Sequence, residues 1–184
     1  WPTFPDADLD FIRQPLDFLG INYYSRQVVR HDPGAWPLAV AKVRQDRQTH
    51  TGLDWEVYPQ GLTDILQWVA SRYGALPLYI TENGAAFYDP PQAEGEVDDP
   101  LRRRYLRDHL CAALAARQNG VNLRGYFAWS LLDNFEWAYG YSQRFGLIHV
   151  DYATQQRTFK ASARFYAEVI RSHGGVLFTD GAGM

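Results

Sequence analysis

Leu78-Tyr79-Ile80-Thr81-Glu82-Asn83-Gly84 is the stretch on which the fold turns. Its first four residues form an apolar, β-branched run of strand length and strand composition. The run ends on the carboxylate of Glu82, and the Asn-Gly pair that follows can take backbone angles closed to most residues. An acid at a strand end stands at the rim of a sheet, and in parallel α/β proteins that rim carries the chemistry. A solvated surface acid would look the same locally, so the neighbouring elements have to decide between the two.

Two further runs share this build. Phe18-Leu19-Gly20-Ile21-Asn22-Tyr23-Tyr24 is short, apolar and aromatic, and residues 123–129 form a third run, with Gly125 where a neighbour can approach closely. A long polar and aromatic segment follows each strand: 31–52 with Pro33, Gly34 and Pro37, then 87–99, then 130–151 with Asp133, Glu136, Trp137 and Tyr139. Helical spacing comes next in each case. Leu62, Ile65, Leu66, Val69 and Tyr73 predict a helix from Pro59 that stops at Gly74. Asp99-Pro100 opens a second helix with the stripe Leu101, Tyr105, Leu106, His109, Leu110, Ala113 and Leu114, closed by Asn119-Gly120. Phe159, Ala163, Tyr166, Val169 and Ile170 mark a third, with Gly174 after it. Residues 1–15 read as a Pro- and Asp-rich leading segment or a frayed short helix, and 175–184 as a tail.

Strand, helix, strand, helix, strand, helix is a repeated βα unit. It predicts an α/β fold with a parallel sheet covered by helices. Long loops confined to the C-terminal strand ends favour part of a (β/α)8 TIM barrel. A flavodoxin-like open sheet also fits the order, but three strands are few for it and no strand-helix turn carries a glycine-rich phosphate loop. Eight strands need about 200 residues or more, so the 184 residues here, which begin at Trp1 without Met, are expected to be part of one larger barrel domain.

Composition narrows the function. With 18 Lys and Arg against 21 Asp and Glu the net charge is −3, which gives no basic surface to follow a phosphate backbone, so nucleic acid is not expected as a partner. The one basic run, Arg102-Arg103-Arg104 with Arg107, is expected on the solvated face of a helix. Cys111 is the sole cysteine, which removes an intrachain disulfide and thiolate zinc sites from consideration, and the five histidines lack ligand spacing, so no metal is expected. His109 is expected to pack on a helix face. There is no apolar run of membrane-spanning length, and a cytoplasmic location is expected. Aromatic residues reach 15%, a surplus that suits either a dense core or a site that stacks on the flat faces of sugars.

If the three strands are neighbours, their ends gather Tyr24, Glu82 and Trp129, and the following loop brings Glu136 and Trp137. At this point the motifs Phe18-Leu19-Gly20-Ile21-Asn22-Tyr23-Tyr24-Ser25, Tyr79-Ile80-Thr81-Glu82-Asn83-Gly84 and Trp129-Ser130-Leu131-Leu132-Asp133-Asn134-Phe135-Glu136-Trp137, with Tyr141-Ser142-Gln143-Arg144-Phe145-Gly146-Leu147, resemble glycoside hydrolase family 1, the β-glucosidase family. The likeness covers the last three βα units of that family. It implies a retaining double displacement without a cofactor, in which Glu82 is the nucleophile and Tyr24 orients it. It also implies that Asn22 shapes the floor of the site, Trp129 is the platform under the sugar, Glu136 and Trp137 bind its outer hydroxyls, and Phe145 lines the pocket.

Retention uses two carboxyls about 5–5.5 Å apart. The family carries the second on an upstream Asn-Glu-Pro motif, and this sequence has none. Glu56, Glu94, Glu96 and Glu168 end no predicted strand and are not convincing substitutes. The chain alone is therefore expected to be inactive and to need an N-terminal half of the barrel as partner, acting then on a β-glucoside or short oligosaccharide. An acid at Glu136 would repel a phosphate, which favours unphosphorylated sugars. A non-catalytic sugar-binding or structural half-barrel is the competing reading, in which Glu82 only accepts hydroxyl hydrogen bonds. Asp133 and Asn134 are expected to hold the loop after the third strand.

Overall fold

The computed structural model describes residues 3–88 and 97–178. In chain order the elements are α1 (Asp6–Ile12), β1 (Leu19–Asn22), β2 (Val29–His31), β3 (Val40–Lys42), α2 (Gln60–Tyr73), β4 (Leu78–Asn83), α3 (Pro100–Gln118), β5 (Leu123–Ala128), β6 (Ile148–Val150), β7 (Arg157–Phe159) and α4 (Ala161–Arg171). The sheet that organises them is three-stranded and parallel, in the order β1-β4-β5. Leu19 pairs with Leu78 and Leu78 with Leu123 at the N-terminal end, so the three strands point the same way and end together. These are three βα units of a barrel, in an open sheet.

Alternation along the strands explains the covering layer. Leu78 and Ile80 point to one face and are 1% and 0% exposed, packed with Leu62, Leu66 and Val69 of α2 and Ala113 and Ala116 of α3. Leu19 and Ile21 join the same cluster, whereas their neighbours Gly20 and Asn22 face the other way and are exposed. Side chains of period two on a strand, met by a stripe of period 3.6 on a helix, bury one face of each. A second cluster, of Leu106, Leu147, Phe165 and Val169, joins α3 to α4. Glycines end the helices as the sequence suggests: Gly74, Gly120 and Gly174 have φ of 82°, 92° and 86°.

Several expectations are corrected. The 31–52 excursion includes most of an antiparallel hairpin, in which Val29 pairs with Lys42 and His31 with Val40; three-residue strands are too short to show a period. The 130–151 loop likewise contains β6, which pairs with β7. In the expected tail, Gly175–Phe178 forms a 3₁₀ turn that lays Val176 and Leu177 on the α3–α4 cluster. Leu101, assigned to a buried stripe, is exposed, as are Tyr73, Phe159 and Ile170 of the other two helical patterns. Glu94 and Glu96, and most of the 87–99 loop, lie outside the described residues.

Arg102 is the largest departure, since it is 1% exposed and not on a solvated face. Its guanidinium donates to Asp99 Oδ2 at 2.7 Å and to the carbonyls of Ala85 and Arg144. Asp99 precedes α3 but does not cap it. Its carboxylate instead accepts the Ser162 N–H at 2.8 Å, and so satisfies the start of α4. A charge triplet in the sequence hid one member turned inward.

Candidate active site

The strand that opened the reading runs further than expected, through Glu82 and Asn83, with Tyr23 N–H donating to the Glu82 carbonyl and Trp129 N–H to that of Asn83, both at 2.9 Å. These two main-chain bonds place the segments carrying Tyr24 and Trp129 on either side of Glu82. Gly84 is needed for space and not for an unusual turn, because its φ is not positive and a Cβ there would lie 1.8 Å from the Trp129 carbonyl oxygen. Gly125 behaves as anticipated: a Cβ would sit 2.7 Å from Tyr79 Cδ1.

At this rim the Tyr24 hydroxyl donates to Glu82 Oε2 at 2.5 Å. Burial, followed by the hydrogen bond to Glu82, raises the Tyr24 phenol far above its ordinary range, so it remains a neutral donor. Glu136 lies half-buried in the loop after β5, and burial first and the Glu82 charge second push its carboxyl above the usual range. The two acids therefore share one electrostatic environment. Asn22 Oδ1 accepts from Thr81 Oγ1 at 2.6 Å on the same face of the sheet.

Phe145 is buried with Leu53 and Ala86, and Tyr24, Trp55 and Trp129 pack around this cluster. Tyr24 meets Trp55 edge-on at 5.5 Å and Phe145 at 6.1 Å. Trp137 extends away, 81% exposed, on a short 3₁₀ turn. Six of the seven residues named from the sequence thus gather at the ends of β1, β4 and β5 or in the loop beside them, and Trp137 reaches outward from that loop. Trp55 was missed. It sits in a segment without periodicity, and no sequence signal distinguished it from the other tryptophans.

The support beneath the site is ionic. Asp133 accepts from Gly146 N–H at 2.9 Å, Lys160 Nζ at 3.0 Å, Arg144 at 2.7 Å and Val150 N–H at 3.3 Å, and its side chain is fully buried. This carboxylate fastens the loop bearing Trp129 and Glu136 to the β6–β7 hairpin, as expected of a loop-holding residue. Glu56, one of the alternative acids, is committed to Arg26 through two hydrogen bonds of 2.9 and 3.0 Å. Glu168 pairs with Arg171 on α4. Among the described residues no group of three or more His, Cys, Asp or Glu could hold a metal ion, and no helix is long and apolar enough to cross a membrane.

The chain is similar to known proteins along most of its length. Beta-glucosidase A of Acetivibrio thermocellus is 43% identical over 173 residues, covering 94% of this chain and 39% of that protein. The 1,4-beta-D-glucan glucohydrolase of Thermotoga neapolitana is 47% identical, covering 94% and 38%. Among solved structures, the family 1 b-glucosidase from Thermotoga maritima superposes with a TM-score of 0.89 at 47% identity, over 91% of this chain and 38% of that one. The same enzyme in complex with glucoimidazole gives 0.87 at 46% identity, over 91% and 37%. The chain thus spans somewhat over a third of the length of these relatives. The model of glycosyl hydrolase family 1 matches residues 1–175, and with the site geometry this shows that the chain belongs to that family.

Proposed function

We propose that this chain supplies the nucleophile and the glycone-binding side of a retaining β-glucosidase, whose acid/base carboxyl comes from the remainder of the barrel. The observation that carries the reading is the 2.5 Å hydrogen bond from Tyr24 to Glu82 at the rim of the parallel sheet. In the first step a Glu82 oxygen attacks the anomeric carbon and the glycosidic C–O bond breaks. The aglycone oxygen takes a proton from the second carboxyl. In the second step that carboxylate accepts a proton from water, whose oxygen attacks the same carbon and releases Glu82.

The other side chains bind. Trp129 offers an indole face to the C–H side of the ring, Trp137 and Glu136 hold its outer hydroxyls, Asn22 shapes the floor, and Phe145 backs the pocket. The negative charge of Glu136 disfavours a phosphorylated sugar. The Thermotoga maritima relative binds glucoimidazole, which supports a glucoside as substrate. Among the described residues the outer strands β1 and β5 each have one strand neighbour in the sheet, and Phe18 and Phe127 are 55% and 57% exposed. Such edges and apolar residues suit pairing with the missing strands of the same barrel.

The test is covalent labelling by a 2-fluoro-glucoside. The chain together with its N-terminal complement is expected to take up one glycosyl group on the peptide containing Glu82, and Glu82→Gln to take up none. The chain by itself should neither hydrolyse a nitrophenyl glucoside nor be labelled. Labelling on another residue, or Glu82→Gln that binds sugar and is still labelled, would sink the assignment; sugar binding without any labelling would favour the non-catalytic reading.

A further inference from the structure

Tyr24 stands one residue beyond the last main-chain bond between β1 and β4, the one from Tyr23 N–H to the Glu82 carbonyl. Its own carbonyl is held by a side chain from helix α3: the Tyr105 hydroxyl donates to it at 3.1 Å. The same hydroxyl accepts from Asn83 Nδ2 at 3.0 Å. Asn83 adjoins Glu82 and is 0% exposed. It also donates to the Tyr23 carbonyl at 2.7 Å and accepts from the Tyr126 hydroxyl at 2.5 Å. Tyr126 in turn takes a bond on its carbonyl from Tyr166 of α4 at 3.1 Å.

Every polar atom of Asn83 and of the Tyr105 hydroxyl is therefore used. Tyr105 is 1% exposed, and its ring stacks on His109 at 3.9 Å with an interplanar angle of 25°. Buried and fully satisfied networks of this kind hold atoms to one geometry. A shift of about 1 Å at the end of β1 would break a hydrogen bond as short as that from Tyr24 to Glu82.

We infer that Tyr105 is a positioning residue for the reaction: its hydroxyl bridges the main chain of Tyr24 and the side chain of Asn83, and so fixes the reach of Tyr24 to the nucleophile. The inference rests on Glu82 being the nucleophile. The Tyr105 hydroxyl bonds to Asn83 and to the Tyr24 carbonyl, so it acts on Glu82 through Tyr24.

The test uses the complete barrel, this chain with its complement, and reads the inactivation rate at saturating 2-fluoro-glucoside with the affinity of a competitive inhibitor. Tyr105→Phe keeps the ring on His109 and the core volume, and a melting curve checks that it is folded. It is expected to slow labelling about tenfold with inhibitor affinity unchanged. The Tyr24→Phe/Tyr105→Phe double variant is expected to be no slower than Tyr24→Phe alone, because the bridge then has nothing to position. An unchanged rate in Tyr105→Phe overturns the inference, as do multiplying losses in the double variant or a loss of inhibitor affinity in step with the rate. Persistent labelling of Glu82→Gln would instead overturn the nucleophile assignment, and the two failures are separate.

Discussion

The two faces of the parallel sheet differ sharply in how they are covered. On the outer face Leu78 and Ile80 lie beneath α2 and α3 with at most 1% exposure, in a core that needs nothing further from outside. On the inner face Asn22 and Thr81 are exposed and Phe127 is 57% exposed. Alternating side chains put both faces on the same strands. The helix-covered face stabilises the unit, and the inner face is the one that the proposed function assigns to substrate and to further strands. The same division recurs in the charges. Asp133, Asp99, Arg102 and Lys160 are buried behind the rim, whereas Glu136 is left half-buried beside Glu82.

Five substitutions, one of them read through a pH titration, sharpen this contrast. Glu82→Gln is expected to have the largest effect, abolishing labelling while leaving the covered side untouched. Among stability effects the largest is expected at Asp133→Ala, which removes the buried anion shared by Lys160 and Arg144; a loss of about 3–5 kcal/mol in urea denaturation is the expected outcome. A loss below about 1 kcal/mol there would show that the ionic support is dispensable.

Acid should act on the covered side next. His109 is 0% exposed, donates Nδ1–H to the Tyr105 carbonyl at 2.8 Å and, among the described residues, has no partner for Nε2. Burial, chiefly, pushes its imidazole down from 6.5 to about 4, against smaller opposing effects of that bond and of Asp108. The neutral ring is favoured in the folded state. Its contribution is therefore complete above pH 6.5 and is lost as the pH falls through about 4, a loss of about 3 kcal/mol. Denaturation curves from pH 7 to pH 4 should show this fall, and His109→Phe should flatten it; an equally steep fall in the variant would assign it to other groups.

The smallest effects compare the faces directly. Ile80→Val is expected to cost about 1 kcal/mol, as a buried methylene does. Phe127→Ala is expected to cost less than about 0.5 kcal/mol in the isolated chain, yet to weaken its association with the complementary half. Equal costs at the two positions in the isolated chain would remove the distinction between the faces.

Much of this was legible in the residues themselves. The order of βα units followed from local signals, in apolar runs of strand length, helical stripes and terminal glycines such as Gly74 and Gly120. The rim could be read because Tyr24, Glu82 and Trp129 each stand within two residues of a strand's C-terminal end. Arg102 could not be read, because a triplet of arginines on a helix does not show which one turns inward; besides the nearby Asp99, the carbonyls of Ala85 and Arg144, 17 and 42 positions away, decide it. Trp55 was equally silent, since its place against Tyr24 and Phe145 depends on the path of an aperiodic loop.

By itself, then, the sequence determined the order of the three βα units, the parallel sheet and the placing of acid and aromatic residues near one edge, because periodicity and strand-end chemistry act over a few residues. Only the tertiary structure decided that Gly84 serves the Trp129 carbonyl rather than a turn, that Asp99 caps α4, and that Tyr105 of α3 reaches the main chain of Tyr24. Each of these joins residues between 45 and 81 positions apart. Such contacts depend on how packed layers meet, and no local pattern encodes them.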